Sequence, residues 1–420
     1  MKKKIINLLN LLKTLRGISS LFIGLPICFL IRIISPFFLI RIMHINATRI
    51  GELIINPIIY LYQKEKGINL TKQKSLDIFY LEDYVINQFF LKMLKRKINI
   101  GPSYILRPID DAQKLLDKVI NSKEKFKPFL RRKFKTHFIE DFPGSKNNIE
   151  FTKKEIEKGK IELEEKFGIK KKDKFVCFLI RDQAFLRKMY PNKNFDYHEY
   201  RNMNPLNFLK AAEELSKRNY YVFRMGKFQD GKFEIKGNNK IIDYANCKFK
   251  SDFLDIFLSA NCSFFLTTKS GPDNLLPLFN VPSIEYPLNL GVCRQFSNYL
   301  IAPRIFLDQN DNKLSLKDLF ERNLIFSQKK IDFENQKILP IDPTPEDIKH
   351  TVIEMDDHLI NSKPYSDFEN ELNEKFWKIF SKYYEKDYRT DDEIKLKGKY
   401  ITLSRFDINF LKRNYKWFLD

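Results

Sequence analysis

Between Phe175 and Tyr286 the chain alternates apolar, strand-length runs with amphipathic helical stretches, and this alternation restricts its fold more than any other feature. After its opening lysine the run "KFVCFLI" is apolar without a break, which suits a strand buried on both faces of a parallel sheet. "PLNFLKAAEELSKRN" has helical spacing with Pro205 at its start, and "YYVFRMG" is the next strand. "KIIDYA" reads as strand, "SDFLDIFLSA" as a helix capped by Ser251, "CSFFLTT" as strand, and "LFNVPSIEY" carries another. Strand and helix in this order predict a doubly wound parallel sheet, whose ligands sit beyond the C-terminal ends of its strands.

The residues at those strand ends are therefore the first candidates for function. "CFLI" delivers Arg181 and Asp182, and "YVF" delivers Arg224, Gly226 and Lys227. "IIDYANCKFK" delivers Asp243, Tyr244 and Lys250, and "FFLTT" delivers Lys269, Ser270 and Gly271. The loop "NFDYHEYRNMNP" adds His198, Glu199 and Arg201. Guanidinium and ammonium groups converging with a helix N-terminus suit a diphosphate. The turn "TTKSGP" has two readings: an anion cradle formed by backbone N–H groups and Lys269, or an ordinary helix start with Ser270 as cap and Pro272 in the first turn. No Asp-any-Asp triplet, P-loop or G-x-G-x-x-G follows a strand. Metal-held diphosphates, P-loop hydrolysis and dinucleotide chemistry are disfavoured accordingly, and no metal or cofactor is expected.

The chain has 74 Lys and Arg against 53 Asp and Glu, a net charge of +21. That excess favours a polyanionic partner or belongs to a solvated lysine-rich surface. The five cysteines are scattered, without disulfide or zinc spacing, and point to a reducing compartment. No acidic residue precedes Glu52, whereas Lys2, Lys3, Lys4, Lys13, Arg16, Arg32 and Arg41 do. With the apolar runs "GISSLFIGLPICFLI" and "IISPFFLI" they describe a basic membrane segment. Arg32, Pro26 and Pro36 interrupt it, which favours a segment lying on or re-entering the bilayer over one that spans it. The body is then cytoplasmic, attached to the inner membrane peripherally or monotopically.

These features divide the chain into a membrane-associated segment (1–44), an α/β unit (45–150), a second α/β unit (151–330) and a helical extension (331–420). Thr152 and Glu155, in capping-box spacing, open the first helix of the second unit.

"FLIRDQAFL", "YHEYRN", the Tyr-Val-Phe-Arg-Met-Gly-Lys run, "KSDFLDIFLSANCSFFLTTKSG" and "LFNVPSIEYPLN" together resemble a family named as bacterial glycosyltransferases of capsule and O-antigen biosynthesis. The resemblance covers about 45–310 and the closing tail. It implies an α/β fold of GT-B type, two Rossmann-like doubly wound domains, the second binding a nucleotide sugar. By this resemblance Arg181, Arg224, Lys227, Ser270 and Gly271 hold the donor diphosphate, with Arg49, Asp182, Arg201 and Lys269 nearby. An inverting transferase also needs a general base. Glu52, His198 and Glu199 are the candidates, although the family commonly has a His where this chain has Glu52. The implied partners are a nucleotide sugar, a glycan or lipid-linked acceptor and an anionic membrane surface, with no nucleic acid. Pyruvyl or phosphoglycosyl transfer, or non-enzymatic polyanion binding at the membrane, are the competing functions.

Overall fold

A computed structural model describes residues 17–68, 71–82, 84–120, 125–129, 149–292, 298–387 and 404–420. Lys2, Lys3, Lys4, Lys13 and Arg16 lie outside the described residues. The chain forms two compact units, Met1–Phe151 and Thr152–Asp420.

Unit 1 is a small α/β body. Its first helix, α1 (Gly17–Ile34), includes a π-helical turn at Ser20–Gly24. Strand β1 (Phe38–His44), helix α2 (Ile50–Glu65) and strand β2 (Lys74–Tyr80) follow. The two strands pair in parallel from Phe38↔Lys74 to His44↔Tyr80. Helix α3 (Gln88–Leu94) starts at Asn87, which caps it, its Oδ1 accepting the Phe90 N–H at 2.7 Å. Helix α4 (Ser103–Ile120) carries Pro108 inside it.

The described part of the basic apolar segment read as 1–44 holds a helix and then a strand. Its last seven residues are β1, a paired strand, and its cations at 32 and 41 face protein partners. Arg41 is buried and grips Asp77 with Nε at 2.5 Å and Nη2 at 2.8 Å, while the Tyr60 hydroxyl donates to the same carboxylate. Arg32 donates to Asp117 at 2.8 Å. Nor do Pro26 and Arg32 break the helix, since α1 runs through both.

Unit 2 opens with α5 (Lys153–Phe167), where Thr152 and Glu155 exchange capping hydrogen bonds and Gly168 ends the helix in the left-handed region at φ 70°. Strand β3 (Lys174–Leu179) leads to the short α6 (Ala184–Met189), then α7 (Leu209–Lys217) and β4 (Tyr220–Arg224). Next come β5 (Ile241–Ile242), α8 (Asp252–Asn261) and β6 (Phe265–Thr267). The short α9 (Leu275–Leu278), β7 (Ser283–Glu285), β8 (Tyr299–Ile301) and β9 (Ile305–Leu307) follow. The remainder comprises α10 (Leu316–Glu321), α11 (Lys330–Glu334), β10 (Leu339–Ile341), α12 (Pro345–Glu354), α13 (Asp367–Asp387), β11 (Arg405–Phe406) and α14 (Ile408–Phe418). The tail is more than a helical extension, because β10 pairs with β9 and β11 extends the main sheet beside β8.

The main sheet has seven strands in the order β11-β8-β7-β6-β3-β4-β5, every pair parallel. Leaving β11 aside, this is the doubly wound order in which the chain runs outward from β3 through β4 to β5, then returns to β6 and runs the other way. Strand β3 is buried on both faces, as its apolar run predicts. Val176 and Phe178 belong to the core with Leu215 of α7 and Ile348 and Val352 of α12. On the opposite face Phe175 meets Phe223, and the Cys177 thiol donates to the Leu258 carbonyl of α8. The alternation of one strand thus assigns helices to both sides of the sheet.

On that second face α5 rests against α8 at Gly159, where an added Cβ would stand 2.1 Å from the Phe257 ring. Gly159→Val should therefore lower unfolding free energy by about 1–3 kcal/mol, since the ring has to leave its rotamer well. Urea denaturation measures this, and a variant matching the parent would mean that the two helices are not in close contact there.

Candidate functional site

The winding reverses between β3 and β6, so their C-terminal ends diverge from their connections and leave a crevice. A backbone-to-side-chain bond ties the two ends together, Arg181 N–H donating to Thr268 Oγ1 at 2.7 Å. Arg181 leaves β3 here, and the 3-10 turn Asp196–Arg201 brings Arg201 to the same place, where its Nη2 donates to the Lys269 carbonyl at 3.1 Å. Burial pushes the Arg181 guanidinium down to about 10, and the positive charge of Arg201 pushes in the same direction, against Asp273 and Asp182. Arg201 is lowered too, chiefly by burial. The Nε of Arg181 is buried without a hydrogen-bond partner, and among the described residues its side chain enters no ion pair. Two partly desolvated guanidiniums, one with an unused donor, form a place where an anion lowers the energy of the protein.

The other cations at the strand ends are already engaged. Arg224, entirely buried, donates to the carbonyls of Gly231 at 3.1 Å and Asp230 at 2.7 Å and to Gln229 Oε1 at 3.2 Å. Asp182 and Asp243 flank it at 3.9 and 3.7 Å. These bonds hold the loop after β4 in shape and occupy both terminal nitrogens of the guanidinium, while its Nε is buried without a hydrogen-bond partner. Lys227 pairs with Asp252 at 2.9 Å, and Lys269 pairs with the buried Glu285 at 2.8 Å.

The turn "TTKSGP" is an ordinary helix start. Asp273 occupies the position proposed for an anion, Oδ2 accepting the Ser270 N–H at 2.7 Å and Oδ1 the Thr267 hydroxyl at 2.7 Å. Behind it lie only the 3-10 turn Gly271–Asn274 and the four-residue α9, too short for a useful dipole. The left-handed residue is Lys269, at φ 65°, and Gly271 is not among the positive-φ positions.

Of the proposed bases, Glu199 is paired with Lys330 at 2.8 Å, and the His198 ring lies tilted at 43° to that of its neighbour Tyr197, ring centroids 4.0 Å apart. Glu52 lies in the first turn of α2 in unit 1 and accepts from Asn56 at 3.2 Å, with Arg49 as the N-cap residue. Unit 1 also holds a pair that the sequence does not advertise. His44, the last residue of β1, meets Glu82 at 2.9 Å, and Glu82 accepts the Ala47 N–H at 2.7 Å.

Next to Asp182, on the β4–β5 side, an open cavity of about 630 Å³ is lined by Lys188, Phe228, Asp230, Asn246, Cys247 and Lys250, among others. Phe228 stacks with Phe185 at 6.3 Å and receives the Lys188 ammonium over its ring at 4.0 Å. Asp182 couples this cavity to the crevice, its two oxygens accepting the N–H groups of Ala184 and Asp230 at 3.0 and 2.8 Å. Lys188 and Phe228 stand forty positions apart, so no local motif reveals them. Phe228 following Gly226 and Lys227 at a strand end is the available signal. Among the described residues no group of three or more His, Cys, Asp or Glu is arranged to hold a metal ion.

No family model and no curated protein matches the chain. Solved structures overlap it loosely. A glycosyltransferase family 9 protein from Veillonella parvula is 12% identical over 59% of this chain and 80% of its own, with a TM-score of 0.32. The E. coli ADP-heptose LPS heptosyltransferase II is 9% identical over 59% and 84%, at 0.34. A Listeria monocytogenes protein named as a UDP-N-acetylglucosamine 2-epimerase is 11% identical over 84% and 98%, at 0.30. Overlaps this loose assign neither a residue's role nor a ligand.

Below the cavity, Asp255 of α8 accepts the Tyr244 hydroxyl at 2.9 Å, and burial raises its carboxyl to about 6. A carboxyl whose folded value lies above its unfolded value stabilises the fold fully below about pH 4, and the benefit is lost as pH rises through about 6. Asp255→Asn mimics the protonated form. Its stability relative to the parent should rise between pH 4 and 7 by on the order of 2–3 kcal/mol. Denaturation curves at several pH values test this, and a pH-independent difference would refute it.

Proposed function

We propose that this chain is a glycosyltransferase whose second unit binds a nucleotide-sugar donor, the diphosphate on Arg181 and Arg201 and the base in the cavity beside Phe228. The observation that carries the reading is the unpaired, partly desolvated Arg181 beside Arg201 at the switch point of a doubly wound sheet. The aromatic Phe228 on the cavity wall supports it, since a planar base packs against such a ring.

In the reaction the bond from the anomeric carbon to the diphosphate oxygen breaks, and the leaving diphosphate keeps the electron pair. The charge that develops there is what Arg181 and Arg201 stabilise, without reorganising at the moment of reaction. The acceptor hydroxyl attacks and gives its proton to a general base. His198, on the same 3-10 turn as Arg201, is a group in this unit with suitable chemistry. The acceptor is a glycan or lipid-linked saccharide of the bacterial surface, following the sequence resemblance, and diphosphate departure is assisted by protein cations with no metal.

Two measurements test this. Arg181→Ala and Arg201→Ala should each weaken binding of a nucleoside diphosphate by about ten- to hundredfold in titration calorimetry, leaving nucleoside binding within about twofold. Because burial disfavours the Arg181 charge in the unliganded protein, Arg181→Ala should melt no lower than the parent. Equal losses for both ligands together with a lower melting temperature would reduce Arg181 to a structural residue. Separately, EDTA should leave sugar transfer intact, and activity that disappears and returns with magnesium or manganese would refute the metal-free route.

A further inference from the structure

Helix α1 divides into two stripes. Ser20, Gly24, Cys28 and Ile31 are buried, whereas the opposite side turns out Phe22 (77% exposed), Phe29, Leu30 and Ile33 (70%). Phe37, just past the helix, is 83% exposed. The buried stripe lies on α4 and is fastened at three points. Gly24 sits so close to the Pro108 carbonyl that an added Cβ would stand 2.2 Å from its oxygen. The Cys28 thiol donates to the Ile109 carbonyl at 3.1 Å, and Arg32 pairs with Asp117. Helix α4 exposes apolar side chains of its own, Tyr104 at 79% and Val119 at 82%, with Leu115 between them at 49%.

Charge identifies what covers this surface. Lys114, Lys118, Lys125 and Lys127 are exposed on α4 and just after it, whereas Asp110 and Asp117 of α4 are buried. Ahead of α1 the sequence supplies Lys2, Lys3, Lys4, Lys13 and Arg16 with no acid before Glu52. An apolar face with a basic margin matches anionic lipid, whereas a second copy of the chain would bring two basic margins together. At 18 residues α1 is long enough to cross a bilayer. Crossing would, however, detach Gly24, Cys28 and Arg32 from α4 and carry a guanidinium into hydrocarbon. Strand β1 starts at Phe38 and is locked by Arg41 and Asp77, so the helix is tethered closely at its C-terminal end.

We propose that α1 and α4 together form a monotopic platform, α1 lying in the plane of an anionic bilayer with Phe22, Ile33 and Val119 in the interfacial layer. The platform stands independently of what the second unit binds. The full chain should cosediment with phosphatidylcholine vesicles containing phosphatidylglycerol and bind weakly to phosphatidylcholine alone. Phe22→Glu and Val119→Glu should each reduce partitioning by about tenfold, with unchanged thermal melts. If Val119→Glu binds like the parent while Phe22→Glu is released, α1 acts alone and the platform is wrong. It is equally wrong if the parent ignores both vesicles, or if the parent is a dimer that Phe22→Glu separates.

Discussion

Everything in the second unit follows from β3 being apolar along its length and therefore buried on both sides. A strand of that kind cannot sit at an edge. The chain places it centrally, and right-handed crossovers to either side then require one reversal of direction. The reversal falls between β3 and β6, and the crevice at their ends is a geometric consequence. Arg181 stands in it because it is the second residue beyond β3, and Thr268 stands opposite because it directly follows β6. Position in the crevice is decided by core burial before any chemistry enters.

Chemistry then separates cations that look alike in sequence. Arg224 and Arg181 both follow apolar strands, yet Arg224 spends its donors on carbonyls of its own loop and is flanked by two carboxylates. Each has a buried Nε without a hydrogen-bond partner, but among the described residues Arg181 enters no ion pair and has another guanidinium as neighbour. A buried charge balanced by carboxylates stabilises a loop, whereas one without an ion-pair partner is poised for a ligand. Lys227 and Lys269 belong with Arg224, since each is neutralised by a carboxylate.

The fold of the second unit was legible because periodicity reports burial, and burial sets strand order. Thr152 and Ser251 marked helix starts correctly by accepting N–H groups within a turn, and Pro205, through its fixed φ, opens the 3-10 turn Pro205–Phe208 that leads into α7. Local pattern failed where a side chain arrives from elsewhere. Asp273 fills the cradle at Ser270, as capping-box spacing permits, but only its buried bond to Thr267 shows how firmly it is held there. The Lys188–Phe228 contact and the His44–Glu82 pair join distant segments, so no window of sequence contains them. Helix α4 was missed because Pro108 lies inside it and the polar Asp110, Gln113 and Asp117 stand on its buried side.

The first unit turns on the same distinction between a charge counted and a charge placed. Read as a string, Arg32 and Arg41 add to a basic membrane segment. In the fold both are paired inward, Arg41 under the sheet and Arg32 against α4. With Arg32 paired against α4, the outward stripe of α1 is continuously apolar. On the proposed platform Arg32 therefore acts indirectly, by holding the helix in the orientation that keeps its apolar side outward. Electrostatic attraction is left, on that proposal, to the lysines at the margins, where a charge stays hydrated while it meets a lipid headgroup.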